Sequence, residues 1–150
     1  MSENVSTVTN NERFLLGIPA VATLLIWFWV GNMNLMQSPG SSLMLIGLLT
    51  ICATAALAAI EVSKTSQLAL AGRSPKKWLF LIALLWGAAY PMYMYQRRQI
   101  GLPNRLVPAC ILSLVFCGSW ILMNSSIEAR KAEVRQNIEE MRSRFSNLGR

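Results

Sequence analysis

Side chains able to exchange protons, hold metals or attack carbon are few in this chain, and their types exclude more chemistry than they suggest. The acidic residues are seven glutamates, Glu3, Glu12, Glu61, Glu128, Glu133, Glu139 and Glu140, with no aspartate and no histidine. Without imidazole there is no axial nitrogen for haem, no histidine ligand for zinc and no side chain with an unperturbed pKa near neutrality. Cys52, Cys110 and Cys117 form no Cys-x-x-Cys pair. Cys110 and Cys117 share a helix face two turns apart, about 10 Å, which is too far for a disulfide. The cysteines read as small polarizable packing residues. A buried general base would have to be Glu61 or a cysteine. Glycine-rich phosphate loops, metal-ligand spacings, a nucleophile elbow and paired intramembrane carboxylates are all missing from the sequence. The expectation is a protein that is not an enzyme and uses no cofactor or metal.

The elements that carry these residues explain the scarcity. Four apolar stretches, 14–30, 43–60, 78–95 and 106–123, contain no Asp, Glu, Lys, Arg or His. At about 1.5 Å of rise per residue, each can cross a hydrocarbon core of about 30 Å once its flanks are included. With 53% hydrophobic residues and a mean hydropathy of +0.40, lipid is the expected solvent for most of the chain. The fold class expected is all-α: an integral membrane bundle of four transmembrane helices with a C-terminal cytoplasmic amphipathic helix. Residues 1–13 form a polar leader, 14–123 the transmembrane domain and 124–150 the helical tail. Ion pumps and coupled transporters usually keep a carboxylate or histidine within the membrane; here the nearest is Glu61, at the end of the second stretch.

The second stretch is small along one side. Gly47, Thr50, Thr54, Ala58 and Glu61 recur at three- and four-residue spacing, and Ala55 and Ala59 add another small pair. Small residues let helices approach closely where lipid supplies no hydrophobic drive, so this face is expected to pack on another helix. Pro39-Gly40 signals a turn in the uncharged first loop. Pro91 lacks an amide proton and crowds the carbonyl of Gly87, which predicts a local kink between those residues. Ser125 and Glu128 have capping-box spacing, which predicts a fresh helix start after the fourth stretch.

The basic residues orient the bundle. With both termini in the cytoplasm, Arg13, the second loop and the tail place eleven Lys and Arg inside, against three outside, Arg97, Arg98 and Arg105. The positive-inside rule favours that arrangement. The three arginines conflict with it, and three explanations stand: they reach lipid phosphates at the outer interface, they join Tyr93 and Tyr95 in contacting an anionic lipid or partner, or the third stretch does not cross fully. A net charge of +7 is spread over membrane flanks without a nucleic-acid module, so lipid rather than nucleic acid is the expected counterpart.

The tail carries the sharpest functional signal. Ile127, Val134, Ile138, Met141, Phe145 and Leu148 form an apolar stripe at helical spacing, surrounded by Glu and Arg. Such a stripe is buried against copies of itself, a partner or the membrane surface. The leading expectation is a subunit or scaffold of a membrane assembly that uses this helix for oligomer or partner contact. The alternative is an oligomeric channel or membrane-permeabilising protein, with Thr50, Thr54, Glu61, Ser113 and Ser119 as its most polar surface.

One region resembles a known pattern. Leu70 to Gly72, then Trp78, then Tyr90-Pro91-Met92-Tyr93-Met94-Tyr95-Gln96-Arg97-Arg98 resemble small uncharacterised bacterial polytopic inner-membrane proteins, in which a loop Gly precedes a Trp-started helix ending in Pro-x-Tyr and arginine. The resemblance covers about a third of the chain. It implies a bacterial inner (cytoplasmic) membrane and no activity.

Overall fold

The computed structural model describes residues 3–64, 74–100 and 102–148, and among them every regular element is helical. Helices α1 (Glu3–Phe28), α2 (Pro39–Lys64), α3 (Pro75–Leu84), α4 (Trp86–Gln96) and α5 (Leu106–Leu148) follow one another, with short 3-10 turns at Val30–Asn32, Leu35–Gln37 and Arg97–Ile100. Three helices are long and apolar enough to cross a membrane, over Asn11–Asn32, Pro39–Ser63 and Leu106–Phe145. Their outward faces present large apolar side chains such as Phe14, Leu24, Phe28, Leu48 and Leu114. That much exposed apolar surface suits lipid and not water. The Leu70–Gly72 part of the resemblance lies outside the described residues.

Helix boundaries differ from the sequence expectation in three places, each for a local reason. The described part of the polar leader is the start of α1, since no Gly or Pro interrupts residues 3–13. Pro39-Gly40 opens α2 instead of making a turn: Ser38, at φ 52°, turns the chain, and Pro39 begins the helix where its missing amide is harmless. The capping box at Ser125 does not form. Its hydroxyl donates 2.9 Å to the carbonyl of Ile121, and α5 runs unbroken from the fourth stretch through the tail, its C-terminal part rich in the good helix formers Ala, Glu, Lys, Arg and Met.

The largest correction concerns the third stretch, which is not one helix. The chain breaks at Leu85, at φ −124° and ψ 44°, and α4 folds back along α3. Trp78 and Tyr93 meet edge to face with ring centroids 5.2 Å apart. Fifteen residues of continuous helix would hold them about 22 Å apart. The break lies two residues ahead of the kink expected at Gly87–Pro91. Several contacts draw α4 back: the Trp86 indole N–H donates 2.8 Å to Thr54 Oγ1 and its ring lies 5.0 Å from that of Phe116. The third stretch is therefore a helical hairpin, and neither of its helices is among the three long and apolar enough to cross a membrane.

The path of the bundle follows. Glu12 of α1, Glu61 of α2, Arg97 after α4 and Arg105 before α5 gather at one end, here the charged end. α1 leaves it, α2 returns, α3 and α4 enter and come back, and α5 leaves again. At the far end Trp27 bonds Ser119, and Gly31 lies close to Met123. The hairpin tip reaches the level of Thr54, Ser113 and Phe116, about half the length of a span.

Candidate functional site

Among the described residues, four charged groups meet at the charged end. Glu61 Oε1 accepts from Arg97 Nη2 at 2.7 Å and Nε at 3.1 Å, and Glu61 Oε2 accepts from the Tyr93 hydroxyl at 2.7 Å. Glu12 Oε1 accepts from Arg105 Nε at 2.6 Å, and Glu12 Oε2 stands 3.7 Å from Arg97 Nη1. Arg97 is 0% exposed and Glu61 1%. The two carboxylates and two guanidiniums balance in charge, which is how buried ions are tolerated. The α1–α2 pair supplies the acids and the α4–α5 connection the bases, so the network ties the hairpin's return to the outer helices.

Two proline-orphaned carbonyls are met by side chains from other helices. Pro19 has no amide proton to offer the carbonyl of Leu15, and the Tyr90 hydroxyl donates to that oxygen at 2.9 Å. Pro91 likewise leaves the carbonyl of Gly87 without its helical donor, and Ser113 Oγ donates to it at 2.8 Å. Backbone groups without water must be satisfied within the protein. Tyr90 ties α4 to α1 and Ser113 ties α5 to α4 by this means.

The small face of α2 lies within the bundle. Thr50, Thr54, Ala55 and Ala58 are buried, Ala59 is half-buried, and Gly47 lies beneath the Trp120 ring of α5, where a Cβ would overlap the indole. The hydroxyls proposed for a pore lining are all spent inside the bundle. Thr50 donates to Ile46 O and Thr54 to Thr50 O, and Thr54 Oγ1 also accepts from Trp86. Ser113 serves Gly87, and Ser119 accepts from the Trp27 indole.

The set Tyr93, Tyr95, Arg97, Arg98 and Arg105 divides. Tyr93 and Arg97 are fully buried in the ion network, and Arg105 is half-exposed and paired with Glu12. These three hold the protein together and do not form a free lipid-facing cluster. Tyr95 and Arg98 are exposed. Sequence reading missed Glu12, Tyr90, Trp86 and the pairing of Glu61 with Arg97. The one signal for them was the excess of arginine at Arg97, Arg98 and Arg105.

The C-terminal half of α5 stands apart from the bundle. Ile127 is buried at its base, whereas Val134, Ile138, Met141 and Phe145 are exposed by 44, 54, 53 and 73%. Lys131 pairs with Glu128 at 2.7 Å, and that bond holds the Glu128 carboxyl below its ordinary pKa. Among the described residues no cluster of three metal-ligating side chains occurs. A groove of about 420 Å³ between α1 and α2, lined by Phe14, Gly17, Val21, Leu49 and Ala53 with Arg13 at its edge, is almost wholly apolar. Comparisons with protein-family models, with curated proteins and with solved structures returned no match.

Proposed function

We propose that the chain is an integral membrane protein of the bacterial inner membrane that crosses the bilayer three times, and that it is a non-enzymatic scaffold holding a helical arm for a protein partner. The observation that carries this reading is the continuity of α5 across span and arm. Its 43 residues extend about 64 Å, roughly twice a hydrocarbon core of about 30 Å. A helix rigidly continuous with its own span cannot lie flat on the membrane it crosses, so the exposed Val134–Phe145 stripe faces outward to protein.

Three crossings put the charged end and the arm on opposite faces. The sequence flanking the charged end carries eight Lys and Arg and the arm carries six, so the positive-inside rule favours the charged end in the cytoplasm by a margin of two. The three arginines then lie on the favoured side and the arm's six on the other, and one cytoplasmic terminus replaces the expected two. Spent hydroxyls and balanced buried charges favour the scaffold over the channel.

A photo-crosslinking residue in place of Met141, in cells, tests the reading, with Ser143, about 160° around the helix, as control. Protein adducts from Met141 and none from Ser143 are expected. No protein adduct from Met141, together with an unchanged native size in detergent after deletion of 126–150, ends it.

A further inference from the structure

The arm's stripe has a coiled-coil register, and its flanks are predominantly basic. Ile127, Val134, Met141 and Leu148 occupy one seam position of successive heptads, and Lys131, Ile138 and Phe145 the other. The positions bordering the seam hold Arg135 and Arg142 on one side and Arg130, Asn137 and Arg144 on the other, with Glu128 at the base. The remaining acids, Glu133, Glu139 and Glu140, lie on the outer face. Among the described residues the arm's one ion pair is Lys131 with Glu128; Arg130 donates to Ser126 Oγ at 3.4 Å, and none of the flanking arginines is paired with a carboxylate.

Pairing with a second copy sets like charges against each other in either direction. In a parallel pair Arg130 faces the other copy's Arg135. In an antiparallel pair flanking arginines again oppose one another, and Lys131 enters the seam twice. The membrane surface, the other counterpart for an apolar stripe bordered by arginine, is out of reach of an unbroken α5.

We propose that the arm's seam docks a partner helix whose own seam is bordered by Glu or Asp, and that a second copy of this chain is not the occupant. The proposal rests on the reading of the arm as a protein-docking element. Charge complementarity would fix the register and speed the encounter, while Val134, Ile138, Met141 and Phe145 supply the buried area.

The test uses the full chain in lipid nanodiscs and two labelled helical peptides with identical leucine seams, one bordered by Glu and the other by Lys. The Glu peptide is expected to bind about tenfold or more tightly than the Lys peptide, with the margin shrinking as salt is raised. Arg135→Glu/Arg142→Glu should erase most of the preference, because Arg130 and Arg144 remain on the other flank, and Ile138→Asp/Phe145→Asp should abolish both interactions while the thermal transition of the bundle stays put. Equal binding of the two peptides overturns the acidic-partner proposal and leaves the docking arm standing. So does an arm-dependent dimer, seen as a halved mass on Phe145→Asp. Failure of both peptides to bind a monomeric protein overturns the proposal and, if Met141 also gives no protein adduct, the docking arm with it.

Discussion

The hydroxyl of Tyr90 reaches across the bundle to the backbone carbonyl of Leu15, at 2.9 Å, and replaces the amide that Pro19 cannot provide. A helix defect in α1 is thereby repaired by the residue that precedes a second helix defect, Pro91, in α4. Tyr90→Phe removes the donor and keeps the ring stacked on Trp86. The variant is expected to lose about 1–3 kcal/mol of stability, the range for a buried acceptor left unsatisfied. Thermal unfolding in one fixed detergent measures it, and an unaltered transition would mean that the carbonyl finds another donor.

The ion network makes a sharper prediction because its members are buried. Arg97→Met takes a buried guanidinium away from the Glu61 carboxylate, and a loss of about 3–5 kcal/mol is expected. Arg97→Met/Glu61→Gln removes both charges and should be less damaging than Arg97→Met alone. A double variant at least as unstable as the single one would show that Glu61 does not depend on Arg97.

Topology can be read directly by labelling. After replacement of Cys52, Cys110 and Cys117, new cysteines at Ser74 and Asn104 are expected to react from one side of the membrane, and those at Gln37 and Ser143 from the other. Four crossings would instead put Asn104 with Gln37 and Ser143 with Ser74, so a single experiment separates the two arrangements.

The Trp120 ring of α5 lies directly against Gly47 of α2. Gly47→Ala puts a methyl group where the indole lies and should destabilise the protein by about 1–3 kcal/mol, the usual scale for overpacking. Adding Trp120→Ala to Gly47→Ala should relieve that overlap, so the two losses are expected not to add. Strict additivity in unfolding measurements would place the Gly47 effect elsewhere.

The sequence made the apolar elements plain and their interruptions obscure. Long uncharged stretches report lipid-compatible helices because composition alone decides that property. The hairpin was hidden because 78–95 has the length and hydropathy of a span, and Pro91 alone predicts a kink. What reverses the chain is tertiary: Trp86 on Thr54 and Phe116, Tyr93 on Trp78 and Glu61. The displaced arginines were the visible trace of it, since Arg97 and Arg105 need carboxylates that lie far away in sequence, at Glu61 and Glu12. The tail's apolar periodicity was legible residue by residue, but its continuity with the fourth stretch was not, because Ser125 and Glu128 imitate a helix start.

The half-depth of the hairpin also gives the molecule a taper. Among the described residues a cross-section toward the charged end cuts five helices, α1 to α5, and one beyond the hairpin tip cuts α1, α2 and α5. Each helix with its side chains is about 10 Å across, so the two leaflets of a bilayer would surrender unequal areas to the same protein. A wedge of this kind sits with least packing strain where the membrane curves toward its narrow side. Many copies placed side by side would impose that curvature.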